Sequence, residues 1–554
     1  MNDNRIEIIC RNNGERISAP RGVTLLELSL LLRIKLTGPV IAARVNNQPK
    51  PLSEALYRNS TIEYMDVTCA EGQRVYLRSV TMIMYKAMTD LFPGGKVRVE
   101  HSIGNGYFLH ISLDGKPLSA ARSVKLIARM NELIAADLPF TLHYEPRQEA
   151  MRMFEERGDT NVANLLRNQK SYYTYYYDLD GLPDFYLGVL ARGTGDVALF
   201  ALDPYRDGFL LRIPDRKDPS RLPDIVDASK VFSTFEEHVK WSGIVGIHDV
   251  ADISKADNRS IGLLVKVTEA LHEQKIAKIA QEIVGRGKVR AVLIAGPSSS
   301  GKTTFCKRLC IQLGASGVIP RMLSLDDYFV NRDQTPLDEF GQTDFESLYA
   351  LDLDLFHQQL ADLTAGKEVT TPTYNFETGE REYRNAPIRL GENEILVIEG
   401  IHGLNPELTS SIPAENKFLV YASALTTLSI NDHNRIPTTD TRLLRRIIRD
   451  SKYRAYPAEK TILRWPSVRR GEEKWIFPYQ ENADAVFNTA LITETYSIKR
   501  QAEVALNEVP HDSDAYPEAA RLLGMLQFFR DIPDRLIPPG SLIREFIGGS
   551  DFHY

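Results

Sequence analysis

The sequence has little cysteine, with four residues in a chain of 554. So few thiols exclude a disulfide framework and fit a reducing compartment. The chain also lacks a run of 18 apolar residues, because charged residues and a proline interrupt the longest candidate, "LSLLLRIKLTGPVIAA". This pattern argues against a transmembrane helix. The opening stretch "MNDNRIEIICRNNGER" is polar and shows no signal peptide. We therefore expect a cytoplasmic protein without a membrane partner.

An excess of positive charge is also missing, since the formal net charge is −6. This argues against a protein whose main work is to grip nucleic acid through a basic field, although a local basic patch stays open. With 43% hydrophobic and 25% charged residues the composition is that of an ordinary globular protein. The length favours about three domains. Cys306 and Cys310, one turn apart in a predicted helix, fit core positions better than a metal site.

The strongest chemical signal is a glycine- and serine-rich loop between a predicted strand and a predicted helix. "VRAVLIAG" reads as a buried parallel strand, and "KTTFCKRLCIQLG" has helical periodicity. Such a loop turns its backbone N–H groups and a helix N-terminus towards phosphates, while the lysine reaches the β- and γ-phosphates and the threonine offers a hydroxyl to Mg²⁺. The predicted nucleotide-binding residues are Gly296, Ser298, Ser299, Ser300, Gly301, Lys302, Thr303 and Thr304.

Two later strands end in acidic residues. "RMLSLDDYF" places Asp326 at a strand end, where a carboxylate can accept the proton of an attacking hydroxyl. The alternative is that Asp326 only caps a solvated strand end. "EILVIEGIHGL" ends in Glu399, which would hold Mg²⁺ or its waters.

A basic segment, "DTRLLRRIIRDSKYR", follows these strands. Arg442, Arg445, Arg446 and Arg449 recur at three- to four-residue spacing, so most of them share one helical face. Such a face is either solvated or closes over a triphosphate and neutralises its charge. The sequence leaves both interpretations open.

The order of segments over about residues 288–495 resembles the uridine/cytidine kinase branch of the P-loop kinases. The matching pieces are "GPSSSGKTT", "LSLDDYF", "GQTDFESLYALD", "TPTYNFETGER", "VIEGIHGL", "LLRRIIRD" and "ENADAVFN". The resemblance implies a Mg²⁺-dependent kinase that uses ATP or GTP, with Mg²⁺ on Thr303 and Glu399. It implies catalytic roles for Asp326, Lys302, Glu399 and Arg449, donor contacts from Arg445 and Arg454, and acceptor contacts from Asp326, Phe345, Glu346, Tyr374, Phe376 and Arg381.

The chain also departs from that family. Gly379 stands where the family has a histidine that contacts the pyrimidine, and Asn375 replaces an aspartate. A lost side-chain hydrogen bond weakens base discrimination and leaves a larger pocket. About ten residues, around 431–440, look inserted before the arginine-rich helix. Sugar phosphorylation therefore survives the comparison better than base specificity does.

The first 67 residues resemble the TGS domain, a β-grasp module found at the start of threonyl-tRNA synthetase. "RIEIICRNNGERISAP" predicts a hairpin, "TLLELSLLLRI" predicts an amphipathic helix that Thr24 opens, and short strands follow. The resemblance implies either RNA or partner contact or a passive packing role.

Residues 68–225 resemble the editing domain of the same synthetase, through "LRSVTMIMYKAMTDLFPGGKVRV", "PRQEAMRMFEERGD" and "DFYLGVLARGTG". The zinc-ligand positions of that family carry Arg78, Met82, Tyr186 and Leu190, which cannot form a tetrahedral site of nitrogen and sulfur ligands. We therefore predict no zinc and no hydrolysis. The cleft is open to another role, such as binding a tRNA end. The nearby histidines His101, His110 and His143 fit strand or surface positions.

The predicted fold is therefore multidomain, α/β and α+β. Its predicted parts are a β-grasp domain (1–67), an editing-like α+β domain (68–225), a helical connector (226–287), a P-loop kinase with a parallel sheet (288–500), and a C-terminal helix with a docking tail (501–554). The favoured function is phosphorylation of a ribonucleoside 5′-hydroxyl. The alternatives are a nucleotide-switched regulator that binds RNA or tRNA, or a P-loop kinase of another small metabolite. We also expect a homo-oligomer.

Overall fold

The computed structural model describes residues 4–254 and 256–553. The first three residues of the polar N-terminal stretch, and Tyr554 of the tail, lie outside the described residues. None of the described helices is both long and apolar enough to cross a membrane.

The N-terminal part is a mixed sheet in the order β2-β1-β7-β4-β5 with a short helix against it. The predicted hairpin and helix are present, and Thr24 caps the helix in a reciprocal pair with Glu27. The helix is shorter than the apolar pattern suggests. The elements are β1 (Arg5–Cys10), β2 (Arg16–Pro20), β3 (Val23–Thr24), α1 (Leu25–Leu31), β4 (Ala42–Val45), β5 (Gln48–Pro51), β6 (Ala55–Leu56) and β7 (Ser60–Met65).

The second part packs a long buried helix, α2, against two antiparallel sheets. One sheet has the order β10-β9-β15-β14 with β8 beside β9, and the other has the order β11-β12-β13. The elements are α2 (Ala70–Leu91), β8 (Lys96–Ile103), β9 (Gly106–Leu113), β10 (Lys116–Pro117), α3 (Ala120–Ala135), β11 (Thr141–Pro146), α4 (Arg147–Glu156), α5 (Thr160–Asn168), β12 (Tyr173–Leu179), β13 (Leu182–Asp184), β14 (Ala201–Tyr205) and β15 (Gly208–Arg212).

Three helices connect this part to the C-terminal half: α6 (Ser229–Val245), α7 (Val250–Ser254) and α8 (Asn258–Gly285). The longest, α8, buries Ile276, Ile279 and Ile283 in the same apolar core as Phe305 and Leu309 of the next helix. The connector is thus a packed part of the C-terminal half.

The C-terminal half is built on a parallel sheet in the order β17-β22-β16-β23-β24. Two of its inner strands, AVLIA and KFLVYAS, are near-continuous apolar runs, as strands covered on both faces require. The elements are β16 (Ala291–Ala295), α9 (Lys302–Ala315), β17 (Ile319–Ser324), α10 (Leu353–Thr364), β18 (Glu368–Val369), β19 (Thr373–Asn375), β20 (Glu380–Glu382), β21 (Ile388–Arg389), β22 (Glu394–Glu399), α11 (Pro406–Thr409), β23 (Lys417–Ser423), α12 (Thr438–Tyr453), α13 (Ala458–Trp475), β24 (Ala485–Asn488), α14 (Glu494–Asn507), α15 (Tyr516–Leu526) and α16 (Arg544–Ile547). The predicted fold class is confirmed, while the exact domain boundaries stay a prediction.

Candidate active site

The phosphate loop joins β16 to α9 at the carboxyl edge of the parallel sheet. Ser299 and Gly301 both adopt left-handed φ angles, of 55° and 80°, which curl the backbone as a phosphate-binding loop requires. The Ser299 and Ser300 hydroxyl oxygens are buried and have no hydrogen-bond partner among the described residues. Because buried polar groups are normally satisfied, these hydroxyls fit a loop that donates to phosphate oxygens. The Lys302 Nζ donates to the Pro297 carbonyl over 3.2 Å, so the lysine side chain folds along the loop.

Thr303 and Glu399 meet beside the loop. The parallel register pairs Ile294 of β16 with Glu399 of β22, so the acid lies next to the start of α9. The Thr303 hydroxyl donates to Glu399 Oε1 over 3.4 Å. Burial raises the pKa of Glu399 to about 7, and Lys302 opposes this shift. Hard oxygen donors of this kind fit Mg²⁺, which usually keeps several waters and takes one or two protein ligands.

Asp326 is a second acid close to Lys302. The register pairs Ser324 of β17 with Glu399, and the chain turns into a short 3₁₀ segment that carries Asp326 past the strand end. Because β22 separates β17 from β16, Asp326 faces the loop from two strands away. Burial raises the pKa of Asp326, while the charges of Lys302, Arg454 and Arg449 lower it. Asp326 and Glu399 therefore both lie close to the loop lysine.

The first arginine of α12 forms a buried ion pair. Arg442 contacts Glu472 of α13, and both side chains are essentially inaccessible to solvent. The same Glu472 accepts the Ser298 N–H over 3.0 Å, and Arg442 Nε donates to the Ser298 carbonyl over 2.9 Å. These contacts clamp the outer turn of the phosphate loop. Glu472 is a site residue that sequence reasoning missed, since its helical context resembles an ordinary charged surface.

Arg445 is also buried, with the Glu494 carboxylate as its ion-pair partner. It donates to the Thr489 carbonyl over 3.0 Å, and its guanidinium lies 5.0 Å from the centre of the Phe546 ring. The structure therefore places Arg445, which is predicted to contact the donor nucleotide, inside a packed cluster of side chains.

Arg446 contacts the phosphate loop, and Arg449 lies one turn further along α12. Arg446 donates to the Ser298 hydroxyl over 2.8 Å and pairs with Asp450 at 3.3 Å. Arg449 is also near Asp450, at 3.5 Å, and burial lowers the pKa of its guanidinium. Arg454, just beyond α12, is about half exposed. Of the two interpretations of the basic face, the one that turns arginines towards the loop agrees with the structure.

The predicted acceptor side contains Phe345 and Glu346. The Arg464 guanidinium of α13 lies 5.2 Å from the Phe345 ring centre. Burial and the nearby Glu472 charge raise the pKa of Glu346 to about 7, while Arg446 and Lys302 lower it. A Cβ on Gly471 would lie 2.3 Å from Glu346 Cβ, so glycine is required where α13 passes this acid.

Aromatic residues form one wall of this side. The Tyr374 ring lies 5.1 Å from Phe376 and 5.5 Å from Phe329. Phe376 is exposed, and Tyr374 is buried. Arg381 pairs with Asp352 at 2.8 Å, so its guanidinium is already held. An exposed ring beside a buried one leaves a flat apolar face open to a ligand.

Gly379 does not enlarge the pocket as the sequence comparison suggests. The Arg332 side chain lies 2.8 Å from where a Cβ at Gly379 would be, and the backbone there has a left-handed φ of 77°. Arg332 also donates to the Phe376 carbonyl over 2.6 Å. An arginine therefore takes the space that the missing side chain frees, and the expectation of a larger pocket is wrong at this point.

His402, three residues after Glu399, is a second residue that sequence reasoning missed. It is buried, and neither ring nitrogen has a well-formed hydrogen bond to the described residues. Burial lowers its pKa to about 4, while a Ser347 backbone contact raises it and Lys302 lowers it further. A neutral imidazole thus lies between the phosphate loop and the segment of Glu346.

The C-terminal tail packs against the phosphate loop, whereas its apolar composition predicts only that it docks on the body of the protein. A Cβ on Gly301 would lie 2.6 Å from the Leu542 side chain. The Thr304 hydroxyl donates to Glu545 over 2.5 Å. Leu542 and Phe546 are fully buried in the core that contains Phe305. A tail carboxylate thus contacts a residue assigned to the donor nucleotide.

In the N-terminal half, the four residues that replace the zinc ligands of the resembling family lie in or against one apolar core. Met82, Tyr186 and Leu190 are fully buried, and Arg78 donates to the Val189 carbonyl over 2.9 Å. Arg78 also lies 3.7 Å from the Glu71 carboxylate. Within the described residues, no group of three or more His, Cys, Asp or Glu side chains is arranged to hold a metal ion. The predicted loss of zinc chemistry stays a prediction that this packing supports.

Comparisons with known proteins find kinase relatives and a threonine–tRNA ligase relative of this chain. The model of the phosphoribulokinase / uridine kinase family matches residues 291–495. The uridine kinase of Staphylococcus aureus strain JH9 is 30% identical over 194 residues, which cover 35% of this chain and 84% of that enzyme. The threonine–tRNA ligase of Symbiobacterium thermophilum is 28% identical over 184 residues, 33% of this chain and 28% of the ligase. A solved structure described as a possible uridine kinase from Bacillus stearothermophilus has a TM-score of 0.28 at 21% identity and covers 39% of this chain and 98% of that one.

The parallel sheet, the phosphate loop and the paired acids at its edge define a P-loop kinase. The chain belongs to the phosphoribulokinase / uridine kinase family. Membership implies the use of ATP and Mg²⁺ in general. The predicted fusion to a threonyl-tRNA synthetase-like N-terminal region is confirmed, although the chain spans little more than a quarter of the ligase.

Proposed function

We propose that the chain is a nucleoside kinase that transfers the γ-phosphoryl group of ATP or GTP to the 5′-hydroxyl of a ribonucleoside. The observation that carries the proposal is that Asp326 and the Thr303–Glu399 pair both lie close to Lys302. A carboxylate in that place has a use in phosphoryl transfer to an alcohol, whereas a nucleotide switch needs none.

On the donor side, the loop N–H groups, the Ser299 and Ser300 hydroxyls and Lys302 bind the phosphates. Mg²⁺, held by Thr303 and Glu399, would supply charge neutralisation at the β- and γ-phosphate oxygens. Arg446 and Arg449 of α12 add positive charge where negative charge develops during transfer. Positioning and charge neutralisation provide most of the catalysis in this reaction class.

On the acceptor side, the Asp326 carboxylate accepts the proton of the 5′-hydroxyl. The oxygen forms a bond to the γ-phosphorus as the bond to the leaving nucleoside diphosphate breaks, and the proton stays on Asp326 until solvent removes it. Glu346 binds the ribose hydroxyls, Tyr374 and Phe376 bind the face of the base, and Arg381 supports this wall through Asp352. Arg332 is the polar group next to the base.

A panel of nucleosides and non-nucleoside alcohols, each incubated with labelled ATP or GTP, tests the proposal. Wild-type protein should form a nucleoside monophosphate. Asp326→Asn should lose at least 100-fold in turnover while it retains ATP affinity, because only the proton acceptor is removed. Asp354→Asn, a solvated aspartate at the start of α10, is the matched control and should behave as wild type.

Two outcomes would contradict the proposal. Slow ATP hydrolysis without a phosphorylated product, or hydrolysis that RNA stimulates, would favour the RNA-binding regulator. Transfer only to a non-nucleoside alcohol would favour a different small-metabolite kinase. Contact with RNA or tRNA through the N-terminal half, a cytoplasmic location and a homo-oligomeric state stay predictions.

A further inference from the structure

The loop inserted before the arginine-rich helix packs against the N-terminal half of the molecule. His433 Nδ1 lies 2.6 Å from Asp184 Oδ2, and both side chains are more than nine-tenths buried. The imidazole centre is 4.4 Å from the Tyr85 ring and 6.0 Å from the Tyr186 ring, which is parallel to it within 13°. We call residues 431–436 the docking loop.

The neighbours of His433 extend this contact. The Asn434 Oδ1 accepts the Leu187 N–H over 2.7 Å, and its Nδ2 donates to the Phe185 carbonyl over 2.8 Å. Asp432 pairs with Arg98 at 3.0 Å. Backbone and side-chain hydrogen bonds together fix one orientation of the loop.

The docking loop lies at the cleft whose metal positions are replaced. Tyr186, which packs against His433, occupies one of those positions, and Arg78 occupies another. The docking loop thus packs against one of the replaced metal positions through the His433 ring.

The docking loop leads directly into α12. The Asn431 side chain accepts the His433 and Asn434 N–H groups, over 3.1 and 2.8 Å, which makes the loop a compact unit. The helix begins at Thr438, so Arg446 lies about 12 Å further along the axis at about 1.5 Å per residue. The helix therefore joins the docking loop to Arg446, which donates to the Ser298 hydroxyl.

A buried ion network holds the same end of α12. Asp440 pairs with Arg521 of α15 at 2.6 Å, and Arg521 pairs with Glu518 at 2.6 Å. Glu518 pairs in turn with Arg74 of α2 at 3.1 Å. The N-terminal half is therefore linked to the start of α12 in two ways. One link is the docking loop, and the other passes from Arg74 through Glu518 and Arg521 of α15 to Asp440.

We propose that Asp184 and His433 are positioning residues for phosphoryl transfer, through which the synthetase-like half holds the phosphate-facing arginines of α12 in place. Neither residue touches the phosphate loop. Their effect passes through the docking loop and α12 to Arg446 and Arg449. The proposal requires kinase-type ATP binding and does not depend on which alcohol is the acceptor.

The test uses full-length Asp184→Asn, His433→Gln and the double variant. Displacement of a positioned group can cost up to about 100-fold, so we expect the KM for ATP to rise about tenfold and kcat to fall, with the acceptor KM within twofold of wild type. The double variant should be no more impaired than the more impaired of the two single variants, because both changes break the same contact. Asp203→Asn, which breaks the Asp203–Arg212 pair elsewhere in the same half, is the matched control and should leave the kinetics unchanged.

Thermal unfolding and calorimetric ATP titration of each variant complete the test. A lower Tm with unchanged ATP affinity and kinetics would overturn the proposal, because it would show a purely structural contact. Equal losses in Asp203→Asn would also overturn it. Because ATP affinity is measured directly, failure of the nucleoside assay does not affect this result.

Discussion

Glu346 titrates in the physiological range because burial and the Glu472 charge raise its pKa from 4.5 to about 7. If its carboxylate binds the ribose hydroxyls, the ionised form is the active one. We expect kcat/KM for the acceptor to rise about tenfold per pH unit below pH 7 and to level off above it. Since the folded protein binds this proton more tightly than the unfolded chain, the contribution of Glu346 to the free energy of unfolding falls as pH rises from 4.5 towards 7.

The pH–rate profile of Glu346→Gln checks this assignment. The variant should lose acceptor affinity, and its acid limb near pH 7 should become less steep, since Glu399 still titrates there. Glu392→Gln changes an exposed glutamate in a surface loop and should keep the wild-type profile. An unchanged acid limb in Glu346→Gln would assign the titration to another group.

The Arg442–Glu472 pair predicts a large and local effect on stability. Glu472→Ala leaves a buried guanidinium without its partner, so the free energy of unfolding should fall by about 3–5 kcal/mol. Glu149→Ala breaks the exposed pair with Arg152 and should cost less than about 1 kcal/mol. Urea unfolding of both variants measures the difference, and similar losses would show that the Arg442 pair is solvated.

At the scale of an element, the C-terminal tail affects the donor site through Glu545. Its carboxylate accepts from Thr304 and adds negative charge near Glu399, whose pKa it raises. Glu545→Gln keeps a hydrogen-bond acceptor and removes the charge, so the KM for ATP should fall several-fold while the acceptor KM is unchanged. Steady-state kinetics with ATP varied at saturating acceptor is the measurement. A higher KM for ATP would show that the carboxylate assists donor binding.

The elements around the loop could be predicted because their signals are local. A strand, a glycine-rich loop and a helix follow one another within about 25 residues, and Asp326 and Glu399 end strands of the same sheet. Arg332 beside Gly379 could not be predicted, because their approach depends on the fold of the acceptor wall. The Glu545–Thr304 contact joins residues 241 positions apart, and no local pattern encodes it.

At the scale of the whole molecule, the packing of Arg78 predicts that the protein binds no zinc. A guanidinium that contacts Val189 and Glu71 leaves no place for a cation at the same point. Metal analysis of full-length protein purified without chelators should find well under one zinc per chain, and EDTA should not change the Tm. Stoichiometric zinc would contradict the predicted loss of the hydrolytic site.

The relation between the two halves was beyond sequence reasoning. The family patterns predict each half as an independent unit, and the insertion around 431–440 gives no sign of its partner. The charges of Glu71, Arg74, Glu518 and Arg521 look like ordinary helix surface charges in sequence, since only tertiary packing buries them together. Ion pairs between residues far apart in sequence depend on tertiary packing, and residue spacing along the chain does not predict them.

The separation of Asp184 and His433 has a consequence for synthesis. The two residues are 249 positions apart in the sequence. Because ribosomes add roughly 5–20 residues per second, Asp184 is synthesised on the order of 12–50 s before His433 of the docking loop. During that interval Asp184 lacks the imidazole that it contacts in the folded chain, so this link between the two halves forms only after the N-terminal half has been made.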